Sequence, residues 1–118
     1  MLRPSCIVAA LLTSTTVLAN GMSCYESSLK KQVFCVDQNE VTASGNLRAG
    51  QLYLVQGDAR EKSAFSLLTD CSTKKSALLD QSGKNVTAGQ QPSPVATALA
   101  ERLCQANKPR HDPSLPML

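Results

Sequence analysis

Four cysteines constrain this chain more than any other feature: Cys24, Cys35, Cys71 and Cys104. A fifth, Cys6, lies in a stretch that reads as a secretory leader. Met1 and Arg3 make a short positive start, Ile7 to Leu12 is apolar, and Val17 and Ala19 stand at the small-residue positions of a cleavage site. Residues 1–19 are therefore read as a signal peptide, with a soluble mature chain starting near Asn20. The apolar run is too short for a bilayer core of ~30 Å, so no membrane span is expected. Gly21 stands three before Cys24, where a lipidated cysteine wants Leu, so no lipid anchor is expected. An even number of cysteines in a short exported chain reads as a disulfide framework. The expected location is the periplasm, the medium or the cell surface.

The framework matters because the core is thin. Of 118 residues, 19 belong to the leader and 99 remain, enough for one domain with a modest core. There is no Trp, and Tyr25, Tyr53, Phe34 and Phe65 are the aromatics. Loss of Arg3 leaves 11 Lys and Arg against 9 Asp and Glu, a net of +2. That is too mild for a nucleic-acid partner.

The pattern between the cysteines is mostly of strand type. Asn20 to Lys31 is polar apart from Cys24 and Tyr25. Val33-Phe34-Cys35-Val36-Asp37 is a buried strand by residue type. Asn39 to Ala43 continues as an exposed strand, and Ser44-Gly45-Asn46 is a turn. Leu47 to Val55 returns, with Gly50 marking a bulge. Gln56 to Lys62 is a polar connection. Ala64 to Cys71 follows, with Phe65, Leu67, Thr69 and Cys71 on one face and Leu68 on the other. Ser76 to Asp80 is another strand, Gln81 to Lys84 a turn, and Val86 one further short strand.

Ser93-Pro94 then starts a helix, Ser capping free amides and Pro taking the first helical position. Val95, Ala96, Leu99, Ala100 and Leu103 form one stripe. Cys104 stands at its edge, while Glu101, Arg102 and Gln105 face away. Pro109, Pro113 and Pro116 make residues 107–118 read as a disordered tail. The fold class is α+β: an antiparallel sheet of about four to six strands under one C-terminal helix, disulfide-stabilised, in a single domain over 20–106.

Reactive chemistry does not assemble from these residues. The only His, His111, is in the Pro-rich tail, which excludes a Ser-His or Cys-His pair on a rigid scaffold. The cysteine spacings contain no Cys-x-x-Cys, so zinc and thiol exchange fall away. Asp37, Asp70 and Asp80 are the carboxylates available for a glycosidase-like pair; strand ends and turns explain them better. No Gly-rich phosphate loop follows any strand. No enzyme, metal or cofactor is expected. Lys30, Lys31, Lys74 and Lys75, with Arg60 and Lys62, make a possible basic surface for an acidic partner.

Val33-Phe34-Cys35-Val36-Asp37, Gly45-Asn46-Leu47-Arg48, Leu52-Tyr53-Leu54-Val55, Asp70-Cys71 and Leu103-Cys104 come in an order that resembles the bacterial surface-adhesin E-like family. The resemblance covers about residues 33–104. It implies an antiparallel sheet with a C-terminal helix disulfide-tied to it. For the family's best-known members it also implies binding to host proteins such as laminin and vitronectin, and in places haem. Cys24 and Cys35 depart from the family pattern, and the lone His111 does not suit haem ligation. Four cysteines allow three pairings. The helix stripe sets Cys104 beside the strand ending in Cys71, and the resemblance implies that same bond, leaving Cys24 to Cys35. The expected function is an exported, non-enzymatic, adhesin-like protein that recognises host or envelope proteins. The alternative is a periplasmic accessory or inhibitor protein docking on another bacterial protein.

Overall fold

A computed structural model describes residues 15–17, 21–27, 32–57, 59–87 and 90–118. Apart from 15–17, the leader read over residues 1–19 lies outside the described residues, and so do Lys30 and Lys31.

β-Favouring residues at 33–37 and 47–56 build the centre of the sheet. β1 is Thr15–Val17, β2 Met22–Glu26, β3 Val33–Asp37, β4 Thr42–Ser44, β5 Leu47–Gln56, β6 Ala59–Asp70, β7 Ser76–Leu79 and β8 Arg110–His111. A 3-10 turn, Gln38–Glu40, separates β3 from β4, and Asp37 Oδ1 caps it by accepting from the Asn39 amide. β5 therefore meets two strands along one edge, β4 over residues 47–49 and β3 over 53–55. Its other edge pairs with β6, and β6 with β7. β2 and then β1 extend the sheet beyond β3.

Among the described residues the sheet has eight strands rather than four to six, and it is mixed rather than antiparallel throughout, because β8 runs parallel to β4. The tail expected to be disordered carries β8, and the Arg110 amide and the Asp112 amide just beyond the strand donate to the Val41 and Ala43 carbonyls. Leu115 and Leu118 then pack on Leu47, Ala49, Leu68 and Leu79. Three prolines remove amide donors, but the two residues between Pro109 and Asp112 still offer a short free ladder. β2 also differs from the polar reading of 20–31: Met22, Ser23 and Cys24 are buried on the flank of β3.

The stretch Gln56 to Lys62, read as a connection, belongs to a long β5–β6 hairpin. Gln56 pairs with Ala59 across a reversal at Gly57, whose φ of 60° is one that Gly adopts at no steric cost. The irregularity in this ladder falls between Gln51 and Tyr53, and the extra residues are on β6. Gln51 fills the break by donating its side-chain amide to the carbonyls of Leu52, Ser63 and Phe65. Phe65 consequently leaves the core face and is 36 % exposed.

The helix α1, Pro94–Cys104, has the expected bounds. Ser93 Oγ accepts from the Ala96 amide at 3.1 Å, and Pro94 stands in the first turn. Leu99, Ala100 and Leu103 are buried against Val36, Val41, Leu52 and Leu67. Gly50 allows this approach, since a Cβ there would meet the Leu103 side chain at 2.8 Å. Arg102, read as facing away, reaches the Tyr25 hydroxyl through Nε at 3.1 Å. Its carbonyl accepts from the Gln38 side chain at 2.9 Å.

Candidate functional site

The four expected cysteines pair locally and at long range. Cys24 and Cys35 face each other on β2 and β3 with Cα atoms 4.1 Å apart, both buried. Cys71 follows β6 and joins Cys104, the last residue of α1, over a sequence separation of 33. These are the pairs that the resemblance and the helix stripe favour.

The three aspartates considered as reactive groups are all engaged in turns. Asp70 Oδ1 accepts from the Ser72 hydroxyl and from the Ser72 and Thr73 amides. Asp80 Oδ1 accepts from the Ser82 hydroxyl and from the Ser82 and Lys84 amides. The Ser72 and Ser82 hydroxyls lead in holding these carboxyls below the usual carboxylate range. Asp112 forms a third Asp-x-Ser turn with Ser114, with the same consequence. A carboxylate held through Oδ1 in this way is a turn cap, not a base poised near neutrality. Among the described residues, no cluster of three or more His, Cys, Asp and Glu is placed to hold a metal ion. None of the described helices is long and apolar enough to cross a membrane.

The sequence did not point to a polar cluster on the face away from α1. Tyr53 donates to Glu40 Oε1 at 2.7 Å, and the Arg60 guanidinium lies 5.9 Å from the Tyr53 ring centre. The bond to Glu40, with desolvation behind it, pushes the phenol up to about 12. Tyr53 therefore stays protonated at neutral pH and acts as a donor. Only the break between β3 and β4 brings Glu40 alongside β5, and no period in the sequence signals that.

Lys74 and Lys75 are exposed in the β6–β7 turn, where Lys74 has a φ of 67°. Their turn opens onto a groove of about 470 Å³ at the Ser76 end of β7, lined also by Asn85, Gln90, Gln91 and the C-terminal Leu118. A smaller apolar cleft of about 160 Å³ lies under the first half of α1, between Phe34, Leu78 and Val95. Arg60 and Lys62 stand far along β6 on the hairpin, so among the described residues they do not join Lys74 and Lys75 in one patch. Fold and site together define a small α+β domain, tied by two disulfides, with a groove at its β7 edge and a cleft under its helix. No protein-family model, curated protein or solved structure matches the chain.

Proposed function

We propose that this chain is an exported, non-enzymatic binding module of the adhesin E type, recognising host or envelope proteins. The observation that carries the reading is the Cys71–Cys104 bond. It joins the Asp70-Cys71 corner to the end of the C-terminal helix, the arrangement that the resemblance implies. Two disulfides on a core without Trp also suit an oxidising compartment. The engagement of Asp37, Asp70 and Asp80 in turns supports a non-catalytic role. Incubating the mature protein with immobilised laminin, vitronectin and heparin tests the reading. Saturable binding to at least one is expected, and no binding to any of them removes the adhesin assignment.

A second reading, a periplasmic accessory protein that docks through a sheet edge, is favoured by the groove along β7. Cell fractionation separates the two. Protease-accessible surface protein supports the first, and protein confined to the periplasm supports the second.

A further inference from the structure

Backbone hydrogen bonding along β7 is complete at one end and open at the other. In its antiparallel pairing with β6, Thr69 faces Ser76 and Leu67 faces Leu78. The outward groups of Leu78 are both used: its amide donates to Thr87 Oγ1, and its carbonyl accepts from the Val86 amide. The Lys75 carbonyl points inward, accepting from the Asp70 amide. Alternation along a strand then turns the Ser76 amide and carbonyl outward, like those of Leu78. Thr87 is the last described residue of this segment to bond β7, and no described residue bonds to the Ser76 amide or carbonyl. Ser76 lines the open groove instead, together with Lys74, Lys75, Gln90, Gln91 and Leu118. Neither lysine forms an ion pair among the described residues. Lys75 does favour the ionised Asp70, but that carboxylate already holds three donors within its turn.

We propose that the Ser76 end of β7 is a strand-addition site for an extended acidic segment of a partner protein. The segment continues the short ladder begun by Asn85 and Val86, exchanging two backbone hydrogen bonds with Ser76. Its carboxylates meet Lys74 and Lys75. Charge complementarity selects an acidic occupant over a basic or purely apolar one. Lys74, in the left-handed region, ends the strand and limits the match to a short stretch. This site rests on the reading of the chain as a protein-binding module and supplies that module's surface and partner chemistry.

The probe is a short blocked peptide alternating glutamate with valine, titrated into the disulfide-intact protein and followed by amide NMR and hydrogen exchange. In the free protein the Ser76 amide should exchange fast, while Ala77 and Leu79 exchange slowly. Saturating peptide should shift and protect the Ser76 amide. The double variant Lys74→Gln/Lys75→Gln should weaken binding about five- to tenfold, the scale of two exposed ion pairs. Arg60→Gln/Lys62→Gln on the distant hairpin should leave binding unchanged, and unaltered melting of both variants shows that they fold. Shifts centred elsewhere, equal binding by the Lys74→Gln/Lys75→Gln variant, or no shift at millimolar peptide would each overturn the site. Laminin or vitronectin binding that survives the same variant would preserve the binding-module reading without it.

Discussion

The two faces of the sheet are closed by unlike means. One face is closed by an amphipathic helix whose stripe runs from Val95 to Leu103 and whose end is bolted to the β6 corner by Cys71–Cys104. The other is closed piecemeal. Cys24–Cys35, Met22 and their neighbours form one cluster, and Leu115 and Leu118 from the tail complete another over Leu47 and Leu68. The helix face gathers its stability into one element and one long-range bond. The opposite face spreads it over a short-range bond and a tail that pairs through only two residues of β8. Damage should therefore be global on the first face and local on the second.

Loss of the long-range bond tests this contrast most severely. Closing the Cys71–Cys104 loop stabilises by roughly 4 kcal/mol through chain entropy, and the shorter Cys24–Cys35 loop by roughly 3 kcal/mol. Against a typical total of about 5–15 kcal/mol, either is a large share. The Cys71→Ser/Cys104→Ser variant should lower the urea midpoint more than Cys24→Ala/Cys35→Ala. Equal losses would erase the distinction between the faces.

Side chains give the next contrast. Leu103 is wholly buried in the cleft that Gly50 leaves open, and Leu103→Ala should cost about 3 kcal/mol. Leu115 is only half-buried, so Leu115→Ala should cost about 1 kcal/mol. The same urea titrations measure both. A Leu115 loss as large as that of Leu103 would mean that the tail is an integral part of the core.

Titration should produce smaller effects. The folded carboxyls of Asp70, Asp80 and Asp112 titrate below their ordinary value. Their turn bonds are thus fully present above about pH 4 and are lost as pH falls through the folded values. Melting temperature should be flat from neutrality to about pH 5 and then decline. Asp80→Asn should flatten part of that decline. Tyr53 has the opposite sign: its folded value of about 12 lies above the ordinary 10. Its contribution is whole below pH 10 and fades as pH rises through about 12. Absorbance near 295 nm should show one of the two tyrosines ionising only near pH 12. The step should disappear in Tyr53→Phe, while Glu40→Gln should move it down.

The same contrast explains what the sequence disclosed. The helix was legible because its signals are local and agree: Ser93-Pro94 at the start, a stripe at helical spacing, and Cys104 at the end. β3, β5 and β7 were legible from β-favouring runs between turns. β2 was not, because Ser23 and Glu26 break the apolar run and Met22 is buried only by its tertiary neighbours. β8 was hidden by prolines, which forbid a long ladder but leave Arg110 and His111 free to pair. The β6 start was hidden by Arg60, Glu61 and Lys62, since both faces of a projecting hairpin are exposed and its strands need not alternate. At the candidate site, Lys74 and Lys75 could be read directly. The open Ser76 edge could not, because it depends on which outward groups of β7 Val86 and Thr87 take up.

Non-reducing peptide mapping of the mature protein tests most directly the claim that each face has its own disulfide. Digestion between the cysteines should release one linked pair holding Cys24 with Cys35 and another holding Cys71 with Cys104. A fragment linking Cys24 to Cys71 or to Cys104 would contradict the account, because the helix and the N-terminal strands would then share one bond across the sheet.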